Sequence, residues 1–76
     1  MASKEDYLIS LENNRLAIEI VKHQIAFWKK HNSQSDPAAS AEYMVLRKNL
    51  EDYQKSYGML LDFYKRYLEL QNRNST

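Results

Sequence analysis

Residues 7–28 read YLISLENNRLAIEIVKHQIAFW. Two apolar patterns run through this stretch at once. Tyr7, Leu11, Asn14, Ile18, Val21, Ile25 and Trp28 step alternately by four and three residues, the spacing of a packed coiled-coil seam. Ile9, Asn13, Leu16, Ile20, His23 and Phe27 step the same way, offset by two residues. At 3.6 residues per turn that offset is about 200°, so the second stripe lies on the far side of the same helix. A helix apolar on two opposite faces is an inner helix with neighbours on both sides.

Working outward, Ser3 and Asp6 form a capping-box pattern that opens the helix. Lys29, Lys30 and His31 close it, with cations at the carbonyl end of the macrodipole. Helix one is therefore expected over about 4–31. Asn32-Ser33-Gln34-Ser35 is a polar break, and the turn is set at 32–36. Asp36-Pro37 is read as the restart: aspartate caps, and proline suits a first helical position because no N–H is needed there. Helix two is expected over about 37–73, with the tail from Asn74 frayed.

Helix two carries its own seam at Tyr43, Leu46, Leu50, Tyr53, Tyr57, Leu60, Tyr64 and Tyr67. A short polar connection makes the two helices antiparallel neighbours. Ile25 should then lie level with Tyr43 and Leu46, and Leu11 with Tyr57 and Leu60. All six tyrosines fall on the seams. They are read as core rings with hydroxyls at the rim rather than as a base-stacking surface. Asn14, at a seam position, needs partners, and tyrosine hydroxyls are expected to supply them. The back of helix two reads mostly charged: Lys48, Asp52, Lys55, Asp62, Arg66 and Glu69 interrupt Val45 and Met59. The fold class is thus all-α, a single helical-hairpin domain over residues 1–76. A four-helix bundle would be completed by self-association, as a homodimer, or with a partner.

Composition limits the alternatives. A chain of 76 residues without cysteine has no disulfide or thiolate metal site to supplement its small core. Oligomerisation or a lasting partner remains. The formal charge of +1, with acids and bases interspersed, is not the footprint of a nucleic-acid-binding face. Lys29, Lys30, His31, Arg47 and Lys48 make only a modest basic cluster near the turn. No apolar run spans a membrane, and no apolar region follows the charged N-terminus. A cytoplasmic chain that stays off membranes is expected.

Catalytic signatures are missing too. His23 and His31 are too far apart to grip one metal from adjacent turns, no glycine-rich phosphate loop occurs, and no serine has a histidine and an acid in a recognisable arrangement. The chain is read as non-enzymatic, with no cofactor, metal or small-molecule substrate. Candidate interaction residues are Ile9, Leu16, Ile20, His23 and Phe27 on the back of helix one. A second group, Leu61, Phe63, Tyr64, Tyr67, Leu68 and Leu70, widens or overhangs the end of helix two. Tyr64, Tyr67 and Leu70 are placed in the overhang, beyond the start of helix one. His23, between Ile20 and Phe27, is read as an interface histidine.

From Leu16 to Tyr67 the chain resembles the small helical-hairpin co-chaperones of type III secretion needle subunits. The resemblance rests on an amphipathic helix, a polar turn, the Asp36-Pro37 restart with Tyr43 soon after, and Leu46-Arg47-Lys48-Asn49-Leu50-Glu51 in a long second helix. It implies a (co-)chaperone or adaptor that pairs with a larger helical protein and covers an amphipathic helix. Two other readings stand beside it: a small phage- or plasmid-type regulator or inhibitor of one host protein, and a nucleic-acid-associated helical protein.

Overall fold

The computed structural model describes residues 3–74. Within them the chain is helical throughout, with no strand. Helix α1 spans Lys4–His31, a short 3-10 turn spans Pro37–Ala39, and helix α2 spans Ala41–Asn74. The two long helices pack against each other as a helical hairpin, elongated to 61 × 16 × 16 Å.

Helix α1 begins where its capping chemistry sets it. Ser3 Oγ accepts from the Asp6 N–H at 3.2 Å, and Asp6 Oδ2 accepts from the Ser3 N–H at 2.9 Å. Two N–H groups that no helical carbonyl can reach are thereby satisfied. At the other end Asn32 donates its side-chain amide to the Trp28 carbonyl at 2.8 Å.

The restart differs from the sequence expectation. Asp36 does cap, accepting from Ala38 N–H at 3.0 Å, and Pro37 does follow as a first helical residue. What they start is a 3-10 turn. Ser40 then caps again, its Oγ accepting from the Tyr43 N–H at 3.1 Å, and the α-helix proper begins at Ala41. Two successive caps compete, and the one followed by a long apolar-periodic run carries the helix. At the far end, Asn74 is still helical; the fraying expected of Ser75 and Thr76 lies outside the described residues.

The core follows the seams. Val21, Ile25 and Leu50 form one buried cluster, with Ile18, Tyr43 and Leu46 packed against it. Leu11 and Trp28 are also buried. Trp28 meets Tyr43 with ring centroids 5.0 Å apart, and Tyr7 meets Tyr64 at 6.0 Å and Tyr67 at 5.3 Å. These tilted pairs are the preferred aromatic geometry.

Two seam expectations are corrected. Tyr53 is 41% exposed, while Leu61, placed beside the seam, is half-buried. A heptad seam drifts by about 20° per heptad against a straight helix, so flanking residues trade places along it. Asn14 uses no tyrosine hydroxyl. Its side-chain amide donates to the Ser10 carbonyl one turn back, at 2.9 Å.

Candidate docking face

The packed side of α1 accounts for one of its two apolar stripes. On the other, Ile9 is 54% exposed, Leu16 45%, Ile20 57% and Phe27 65%. Asn13 and His23, between them, are exposed as well. All six thus share one uncovered face of a helix whose opposite face holds Leu11, Val21, Ile25 and Trp28.

The second group of sequence candidates divides. Tyr64 and Tyr67 do not overhang: both rings lie against Tyr7, near the start of α1. The register expected at the turn end, Ile25 level with Tyr43 and Leu46, holds in the core cluster. Carried along both helices at equal rise, it brings Tyr64 level with Tyr7, so the overhang starts later than expected. Leu61 is likewise partly used inside the hairpin. Leu68, at 36% exposure, and Leu70, at 56%, lie beyond the Tyr67 contact and stay uncovered. Phe63 is 45% exposed, one turn from Met59, at 58%. Met44, Val45 and Leu8 are exposed apolar residues that the stripe pattern did not single out. Single exposed apolar side chains of this kind are ordinary.

At the turn end a groove of about 530 Å³ opens between the helices. Ile20, His23, Gln24 and Phe27 form its α1 wall, Trp28 and Asn32 its end, and Glu42 and Leu46 its α2 wall. The His31 ring packs on Phe27, with centroids 4.2 Å apart, and steadies the most exposed aromatic of the stripe.

The groove also fixes which flanks of the helices share a side. At about 100° per residue, Gln24 shares its flank of α1 with Asn13 and Ala17, while Arg15, Glu19 and Lys22 occupy the other. On α2, Glu42 shares its flank with Asn49, Tyr53 and Ser56. The middle of the hairpin on this side therefore carries no charge and runs without interruption into the Ile20/Phe27 stripe. Depletion of charge at the centre of a surface is the compositional mark of an interface core.

The charged groups lie elsewhere. Arg15 grips Glu12 with two hydrogen bonds, at 2.6 and 3.0 Å. That contact holds the Glu12 carboxyl below its ordinary pKa and the Arg15 guanidinium above its own. Lys48, part of the modest basic cluster, approaches Asp52 at 3.9 Å. Among the described residues, no group of three His, Asp or Glu side chains could hold a metal ion, and no helix is long and apolar enough to cross a membrane.

Surface area measures the unmet burial. A folded monomer of 9.1 kDa exposes about 4,900 Å² by the general scaling of surface with mass. This chain exposes 6096 Å². The excess, about 1,200 Å², is larger than the roughly 800 Å² that one partner contributes to a standard interface. None of the described side chains is fully enclosed. Compared with known protein families, curated proteins and solved structures, the chain matches none.

Proposed function

We propose that this chain is a non-enzymatic protein-interaction module: an antiparallel helical hairpin that completes a four-helix bundle by burying the outer face of α1. The observation that carries the reading is the exposed line Ile9, Leu16, Ile20 and Phe27 on a helix whose other face is already packed. A small co-chaperone or adaptor would use this face to cover an amphipathic helix of its partner, the use that the resemblance to needle-subunit co-chaperones implies. A regulator of one host protein would use the same face. Covering about 600 Å² of apolar area is worth on the order of 15 kcal/mol before the costs of association and ordering.

Ile20→Glu together with Phe27→Glu tests the reading. Both side chains are exposed in the hairpin, so the double variant should keep its helical circular dichroism. It should lose assembly, measured by sedimentation, and the fluorescence of a bound apolar dye. Asp52→Lys, on the charged back of α2, should change neither. A folded double variant whose assembly and dye binding both match the parent would sink the reading.

A further inference from the structure

We infer that the outer face of α1 is closed by a second copy of this chain, the two α1 helices packing antiparallel about a two-fold axis at the level of Ile18. This deepens the interaction reading above and rests on it. A symmetry in the stripe carries the inference. From Ile9 to Phe27 the steps are four, three, four, three and four, the same read from either end. Turned end for end about Ile18, the stripe sets Ile9 against Phe27 of the second copy, Leu16 against Ile20, and Asn13 against His23. Each apolar residue meets an apolar one, and the two polar positions meet each other. An isologous interface needs such self-complementarity. A polar pair inside an apolar seam also fixes register, because any slip would leave it opposite apolar groups.

Ile18 also lies at the middle of α1, which runs Lys4–His31. Two helices related about that level overlap along their whole length, about 42 Å. The rims then match in charge. Asp6 comes level with Lys30 of the second copy, and Glu5 with His31. A parallel pairing in register would instead set Glu5 on Glu5 and Lys30 on Lys30, which like-charge contact disfavours. The groove beside Phe27 gains a cover, since Ile9 of the second copy comes level with its edge. The area suffices: the excess exposure of about 1,200 Å² exceeds what each partner gives to a standard interface.

The chain has no cysteine, so introduced thiols are the only ones present. Asn13→Cys and His23→Cys proteins, each alone and then refolded together, would be oxidised in a mild redox buffer and run without reductant. Both sites are exposed in the hairpin, and circular dichroism checks that each variant folds. The mixture should give the 13–23 cross-linked dimer, roughly tenfold or more above either homo-disulfide, because only that pair is held at high effective concentration. In the antiparallel register a residue 13 and its copy lie about 15 Å apart, beyond the roughly 6 Å reach of a disulfide. Homo-disulfides forming as readily as the mixed one would overturn the register. Parent chain that sediments as a folded monomer at high micromolar concentration would overturn the self-pairing. In either case, dye binding that still depends on Ile20 and Phe27 would leave the interaction reading standing, with another protein as the occupant.

Discussion

Tyr7 and Tyr67 meet ring to ring with centroids 5.3 Å apart, joining the first turns of α1 to the last third of α2. The contact lies far from the main cluster of Val21, Ile25 and Leu50. It therefore decides whether the open end of the hairpin stays closed. Tyr7→Ala removes both of its ring contacts, to Tyr67 and to Tyr64. Aromatic pairs contribute about 0.5–1.5 kcal/mol each beyond burial, so a loss of roughly 2 kcal/mol is expected. Hydrogen exchange should speed up at residues 61–70 first, with residues 18–28 still protected. Uniform loss of protection along the chain would mean that the hairpin has no separately closing end.

The same contact marks where sequence reasoning stopped short. The limits of α1, its Ser3/Asp6 cap and both of its stripes follow from local chemistry, and each is legible in residues 3–31. Where α2 starts is less legible, because two caps, Asp36 and Ser40, lie four residues apart with similar chemistry and Pro37 favours the first. Which part of α2 faces Tyr7 was within reach: the register that sets Ile25 level with Tyr43 and Leu46, carried along both helices, already places Tyr64 at Tyr7. Asn14 misled for a related reason. An amide at a seam position invites a search for distant partners, yet Asn14 is only half-buried and donates to the Ser10 carbonyl on its own helix. The exposed stripe was legible because it needed only the period of one helix. Its occupant was less so, because the two-fold matching of the stripe matters only once the opposite face of α1 is seen to be packed.

Trp28 anchors the turn end. It is 5% exposed and packs on Tyr43. As the sole tryptophan, it reports on its own surroundings by fluorescence. Trp28→Ala should cost about 3–5 kcal/mol, as large-to-small aromatic core changes do. That is most of what a domain this small has. The variant is expected to lose cooperative unfolding in urea. Tyr43→Ala, which keeps the tryptophan, should shift its emission to the red and lower the urea midpoint. An unmoved emission maximum would mean that Tyr43 does not shield the indole from water.

The α1 cap makes a prediction about acid. Hydrogen bonds from the Ser3 backbone and side chain hold the Asp6 carboxyl below its ordinary pKa of 3.8. A carboxyl whose folded pKa lies below its unfolded one contributes stability that is fully present above the unfolded value and is lost as pH falls through the folded one. The cap should therefore weaken only in the acid range below about pH 4. Asp6→Asn should flatten the dependence of the melting temperature on pH in that range, and leave the dependence between neutral pH and 5 unaltered. Ser3→Ala should cost about 1 kcal/mol at neutral pH, the usual worth of an N-cap. Parallel acid profiles for the parent and Asp6→Asn would exclude Asp6 as the titrating group.

Gly58 gives a prediction whose sign separates a lone hairpin from a covered one. It lies within α2, has no left-handed backbone, and a Cβ built there meets nothing within 4 Å. Inside the hairpin, then, nothing requires glycine, and its cost relative to alanine is about 1 kcal/mol of backbone entropy and lost helix propensity. Gly58→Ala should raise the stability of the chain by that amount, read as a higher urea midpoint with an unchanged slope. Were the midpoint to fall instead, space at Gly58 would be occupied in the assembled protein. In the antiparallel pairing of α1 with its copy, α2 lies on the outside, and a neighbouring helix does not reach Gly58. A stabilising Gly58→Ala with assembly intact is thus the outcome that fits the outer placement of α2, while a destabilising one would require a contact to α2 that the pairing through α1 does not supply.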